Sequence, residues 1–190
     1  MRRERARRKL NPLKNARRLV RRYTKKRFKV FILDETTLGL MPIVQRGWYP
    51  RGKKVIANYS KRERFHVFGA LGRGVIRYLF YDEMNQDAFT HFLRCLKYSY
   101  RKLLLFFDRA PYHTSGKVKR FLLRNERTVK YEFLPKKSPE ISPIEIEWRE
   151  WRKLIGNRYF NDKEEMRSYL QRRIQSDDCP IIRLFDYLMP

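Results

Sequence analysis

The run Leu103-Leu-Leu-Phe-Phe107, closed by Asp108, constrains the fold more than any other feature of this 190-residue chain. Five consecutive apolar side chains leave no polar face, so a strand built from them has to be covered on both sides. The run is far shorter than the ~18 apolar residues of a membrane span. It predicts the central strand of a layered α/β domain, and its neighbours agree. Ahead of it lie four strand-like segments: Phe28–Asp34, Lys54–Asn58, Phe65–Leu71 and Val75–Tyr81, the last two joined by a tight turn at Gly72-Arg-Gly74. The period then changes from 2 to 3.6. Asn85 can cap a helix carrying Phe89, Phe92, Leu93, Leu96 and Tyr100. Ser115 can cap a second, with Val118, Phe121 and Leu122, before a strand over Val129–Leu134. Pro143, capped by Ser142, opens a third with Ile144, Trp148, Trp151 and Ile155 on one face, a stripe that reads as core. Asp162 and Glu165 read as a capping box for a fourth. The sequence therefore predicts an α/β fold with a mixed sheet flanked by helices, antiparallel at one end and with crossovers at the other.

Charge narrows the partner. The chain has 46 Lys+Arg against 20 Asp+Glu, a net charge of +26. Such a surplus repels itself in a compact fold and fits a polyanionic partner, double-stranded DNA above all. No basic stretch carries a lipid-facing apolar stripe, so no membrane partner is expected. Residues 1–27 form a basic arm, a helix broken at Asn11-Pro12. Through Lys29 it holds fifteen Lys/Arg against the single acid Glu4. Residues 28–190 form the folded domain. Two cysteines are too few for a disulfide scaffold. With no signal-peptide pattern, a cytoplasmic protein is expected.

Acids are scarce, and three fall at strategic points. Asp34 ends the first strand, Asp108 ends the central one, and Glu145 lies in the first turn of the helix that follows Pro143. Sites in open α/β sheets form beyond the carboxyl ends of the strands. Carboxylates that converge there repel one another unless a divalent cation neutralises them, and oxygen ligands suit Mg²⁺ or Mn²⁺. Two such ions can serve phosphodiester chemistry. Plainer readings stand beside this one. Asp34 can close a turn, Asp108 can pair with Arg109 or His113, and Glu145 can pair with Arg149. Glu35 reads as an ordinary turn acid, His66 as structural, and His91 as solvated. Glycine-rich phosphate loops and Ser/His/Asp nucleophile patterns are absent from the sequence.

Three segments together resemble the catalytic domain of mariner-superfamily DDE transposases, in particular the prokaryotic insertion-sequence branch. They are Phe31-Ile-Leu-Asp-Glu-Thr36, Phe107-Asp-Arg-Ala-Pro-Tyr-His113, and Leu134-Pro-Lys-Lys-Ser-Pro-Glu-Ile-Ser-Pro-Ile-Glu-Ile-Glu-Trp148. Arg46-Gly-Trp-Tyr-Pro-Arg-Gly52 fits the loop these enzymes carry after the first strand. The resemblance implies a ribonuclease-H-like fold. It also implies a catalytic and metal-binding triad of Asp34, Asp108 and Glu145, selecting Glu145 over Glu140 and Glu147. Two Mg²⁺ or Mn²⁺ ions, cleavage at element ends, strand transfer into a TA target and a homodimer follow from the same likeness. Candidate DNA contacts are Arg46, Trp48, Arg51, Lys53, Arg109, His113, Lys136 and Lys137, with His113 reading equally as a residue that backs the acids from behind. Arg109 departs from the family's usual Asn, and Ser142 from its Asn. The 27 residues before the first strand are too few for the family's helix-turn-helix region. These departures give the alternative reading, an inactive DNA-binding remnant. A junction resolvase of the same fold is a third reading, disfavoured by the three-part motif.

Overall fold

The structure is a computed structural model and describes residues 2–41, 51–52, 62–134 and 143–175, the side chains of residues 2–13 excepted. A helix, α1 (Arg2–Lys25), leads into strand β1 (Lys29–Gly39). The hairpin β2 (Arg64–Gly72) and β3 (Val75–Tyr81) follows, then α2 (Gln86–Ser99) and β4 (Leu103–Phe107). A 3-10 turn (Pro111–Thr114), α3 (Gly116–Arg124), β5 (Val129–Phe133), α4 (Ile144–Ile155) and α5 (Lys163–Gln175) complete the order. The sheet runs β3-β2-β1-β4-β5. The first three strands are antiparallel neighbours, and β1, β4 and β5 are parallel. This is the mixed sheet that the sequence predicts. Among the described residues no helix is long and apolar enough to cross a membrane.

Period-2 alternation sorts the sheet into two cores. Val30, Ile32, Leu104 and Phe106 face one side, against Ile144, Trp148, Trp151 and Ile155 of α4 and Met166 and Leu170 of α5. Phe31, Leu33, Leu103, Leu105 and Phe107 face the other, against Phe89, Phe92, Leu93 and Leu96 of α2 and Val118 and Leu122 of α3. Every residue of β4 is buried, as a strand covered on both faces requires. Burying each of these large side chains contributes about 1.5–3 kcal/mol.

Local signals set the helix starts. Asn85 accepts from the backbone N–H groups of Asp87 and Ala88, both at 2.9 Å. Ser115 accepts from Val118 N at 3.4 Å. The capping box before α5 forms in part: Glu165 N donates to Asp162, but the Glu165 carboxylate turns to Asn161 N instead of Asp162 N. Pro143 sits one position earlier than expected, at the N-cap of α4, where Ile146 N donates to its carbonyl. Its expected cap, Ser142, and the expected strand Lys54–Asn58 lie outside the described residues.

Two expectations need correction. The first helix runs through Asn11-Pro12 without a break; the proline removes one N–H bond and crowds the carbonyl four residues back, but the helix continues on both sides of it. Its second half is also no separate arm, because Ala16 and Val20 are buried in one cluster with Phe28 and Val30. Strand β1 does not end at Asp34 but continues to Gly39. What stops near Asp34 is the parallel partner: the last β1–β4 pair is Ile32 with Phe106, while β2 stays paired with β1 through Gly39. Asp34 thus stands where one neighbour has ended and the other has not.

Candidate active site

Two residues beyond the Ile32–Phe106 pair, the same register brings Asp34 of β1 level with Asp108, the first residue after β4. Alternation along β1 then divides two adjacent acids. Asp34 follows Ile32 to the α4 side, and Glu35 follows Leu33 to the α2 and α3 side.

On the α4 side, Trp148 Nε1–H donates to Asp34 Oδ2 at 2.9 Å. The β2 residue opposite Asp34 is Gly69. A Cβ there would lie 2.3 Å from the Trp148 ring and 3.0 Å from Ile144, so only glycine lets the indole lie this close to the sheet. Trp148 is core, as expected, and it is also the hydrogen-bond donor to the first acid. Trp151 differs, since its buried Nε1 has no hydrogen-bond partner among the described residues. Glu145 is exposed, one helical turn before Trp148, and its charge acts on Asp34. Burial, then the neighbouring Glu35, and more weakly Glu145, push the Asp34 carboxyl up to about 7 against the pull of the Trp148 bond. The rival acid Glu147 is buried on the inner face of α4, and Glu140 lies outside the described residues.

On the other side, His113 is 1% exposed, and both ring nitrogens meet carboxylates. Nδ1 lies 2.7 Å from Asp108 Oδ1 and Nε2 lies 2.9 Å from Glu35 Oε1. Ala110 N–H also donates to Asp108 Oδ1, at 3.0 Å, and Tyr112 Oη–H donates to Glu35 Oε2 at 3.3 Å. Burial pulls His113 down, but the hydrogen bonds to Asp108 and Glu35 outweigh it and push the ring up to about 9. The His113 bond holds Asp108 below the usual carboxylate range, and burial opposes it only in part. Both ring nitrogens are engaged by Asp108 and Glu35, so of the two roles the sequence suggests for His113, a contact behind the acids or one to a DNA phosphate, its hydrogen bonds go to the acids.

The remaining candidates are scattered. The Arg109 guanidinium lies over the Phe133 ring, 4.8 Å from its centroid, instead of beside the acids. Arg51 is exposed. Arg46, Trp48, Lys53, Lys136 and Lys137 lie outside the described residues. His66 is structural: its Nδ1 lies 2.8 Å from Thr37 Oγ1, its register partner. His91 is not simply solvated, since Tyr81 Oη lies 2.8 Å from its Nδ1.

The donors at the end of β1 and β4 are all carboxylate oxygens, and Asp34 among them is raised by burial and then by its acidic neighbours. That donor chemistry fits a hard divalent cation. Among the described residues, no three His, Cys, Asp or Glu side chains converge as a ready-made metal-binding group. Asp108 is turned onto His113 and Asp34 onto Trp148, so the structure brings the acids to one level without closing them into a cage. Glu35 and His113 are the contacts that a linear reading underrates, because they lie 78 residues apart in the chain.

Solved structures share this arrangement of elements. A Mos1 transposase paired-end complex with the left transposon end matches over 93% of this chain and 57% of its own, with a TM-score of 0.63 and 18% identity. A Mos1 mariner paired-end complex with Mn matches at a TM-score of 0.66 and 15% identity, over 94% and 56%. The catalytic domain of Mos1 mariner transposase matches at 0.60 and 16%, over 94% of this chain and 85% of its own. The likeness fixes the fold as ribonuclease-H-like, and the chain spans little more than half the length of the first two proteins. No curated protein sequence matches the chain. The DDE superfamily endonuclease family matches residues 29–167, so the chain belongs to the DDE superfamily endonucleases.

Proposed function

We propose that this chain is the catalytic domain of a prokaryotic insertion-sequence transposase that cuts double-stranded DNA at the element's ends and joins those ends to a TA target. One observation carries the reading: in a chain of this family, Asp34 and Asp108 stand level at the ends of adjacent parallel pairing, and α4 presents Glu145 within electrostatic reach of Asp34. In this reading Asp34, Asp108 and Glu145 hold two Mg²⁺ or Mn²⁺ ions. Bound there, the ions would supply Lewis acidity and a water of lowered pKa. The residues of the chain do the rest. Trp148 fixes one oxygen of Asp34, and His113 fixes one oxygen of Asp108. The Arg/Lys surplus, much of it on α1, draws in the DNA backbone without reading sequence. Related complexes described as paired-end, one of them with Mn, support DNA ends and a divalent ion as partners. In this reading a homodimer would pair the two ends. The protein would then act in the cytoplasm, at the nucleoid.

A nicking assay on a duplex carrying the element's end tests the reading, with Asp108→Ala as control. Mn²⁺- or Mg²⁺-dependent nicking by the wild type but not by the variant is expected. Joining of a precleaved end to a second duplex would separate a transposase from a resolvase. A folded wild type that never cleaves would leave only DNA binding.

A further inference from the structure

Beneath the acids lies a buried polar group that catalysis by three carboxylates does not call for. His113 is nearly inaccessible and enclosed by rings: Phe89 at 4.1 Å between centroids, Tyr112 at 4.4 Å and Phe107 at 5.3 Å. Its ring cannot swing. Nδ1 faces Asp108 Oδ1 and Nε2 faces Glu35 Oε1, so a hydrogen on Nδ1 is bonded to Asp108. One partner, Glu35, is itself buried, with a side chain 7% exposed, and a second donor, Tyr112, holds it. The other partner, Asp108, has a side chain 64% exposed. An exposed carboxylate would ordinarily turn freely. Here Oδ1 is fixed by both His113 and Ala110 N, which leaves Oδ2 as the oxygen turned outward.

The geometry points to His113 as a positioning residue: anchored on buried Glu35 through Nε2, it grips Asp108 Oδ1 through Nδ1 and so sets which oxygen Asp108 offers to a divalent cation. This inference rests on the proposed metal-binding role of Asp108. Charge-assisted bonds of this length are strong and directional. Partners that orient a metal-ligating side chain typically change metal affinity by about 10–100-fold when removed.

Two substitutions separate the grip from the packing. In His113→Asn the side-chain amide nitrogen falls near the place of Nδ1 and can still donate to Asp108. In His113→Gln it falls near the place of Nε2 and can reach only Glu35. Both remove the ring from the same aromatic cage. Binding of Mn²⁺ alone to the full chain, read from the electron paramagnetic resonance of the free ion, is expected to stay within about threefold of wild type in the Asn variant and to weaken about 10–100-fold in the Gln variant. Equal affinity in both variants, or the reverse order, overturns the inference while leaving the metal reading intact. A folded wild type that binds no Mn²⁺ overturns both. Should a variant fail to fold, nitrogen-15 imidazole spectra of the wild type still decide: a hydrogen-bonded N–H at His113 Nδ1 is the expected result, and a bare Nδ1 contradicts it.

Discussion

Trp148 and Asp34, 114 residues apart in the chain, are joined by one hydrogen bond of 2.9 Å from the indole Nε1–H to a carboxylate oxygen. The bond ties α4 to β1 beside the place where β4 ends. Because Glu145 lies one turn earlier on the same helix, the contact also sets where that acid stands relative to Asp34.

Replacing Trp148 by Phe keeps most of the buried area and removes the donor. A hydrogen bond to a charged group contributes about 1.5–3 kcal/mol. We expect a loss of that order in chemical denaturation and a drop in DNA cleavage larger than any drop in DNA binding. Equal losses in cleavage and binding would mean that the indole serves packing alone.

Gly69→Ala probes the same contact from the other side. The new methyl group would fall 2.3–2.6 Å from the Trp148 ring, so the indole must shift. Overpacking of this kind costs about 1–3 kcal/mol. The expected outcome is a lower melting temperature together with a changed Trp emission spectrum. An unchanged spectrum would contradict the closeness of glycine and ring.

Asp34 gives a pH signature in the metal-free chain. Its carboxyl is raised from 3.8 to about 7, chiefly by burial. For a group raised on folding, the stabilising contribution is complete below the unfolded value and is lost as pH climbs through the folded one. Asp34→Asn does not titrate. Its stability advantage over wild type should therefore grow between about pH 4 and pH 7 and level off above that, reaching a few kcal/mol by order of magnitude. Melting curves in chelator check this. A difference that stays flat across that window would contradict the burial of a strained acid.

The basic helix α1 should govern the salt dependence of DNA binding. Ala16 and Val20 belong to the core, so a cut must stop before Lys14. Deleting residues 2–13 removes six Lys/Arg and one Glu. We expect weaker binding and a slope of log affinity against log salt that is shallower by as much as about 5. The melting temperature should hardly move. An unchanged slope would place the DNA contacts elsewhere.

Much of this was legible in the chain. The continuous apolar run of β4 required two helical layers, and the strand-then-helix order required a mixed sheet. The motifs around Asp34 and Asp108 pointed to the carboxyl end of the parallel strands, where the two stand level. What was not legible depends on contacts between distant residues. The extension of β1 to Gly39 comes from pairing with β2, which no local pattern in Glu35–Gly39 announces. Gly69 looks like any strand glycine until Trp148 is placed against it. The sequence left His113 open between a phosphate contact and a support for the acids, because only the packing of Phe89, Phe107 and Tyr112 around it shows that it is buried. Alternation did hold one unread signal. Adjacent Asp34 and Glu35 face opposite sides of the sheet, so they take different partners, Trp148 for Asp34 and His113 for Glu35.

The central claim is that Asp34, Asp108 and Glu145 act together, and cleavage rates of charge-neutral variants test it most directly. On one duplex in Mn²⁺, Asp34→Asn, Asp108→Asn and Glu145→Gln should each cut at least about 100-fold more slowly than wild type while still binding the duplex. Glu147→Gln, folded and tested beside them, should cut within a few-fold of wild type. Wild-type cleavage by any of the first three, or loss confined to the Glu147 variant, would contradict the account.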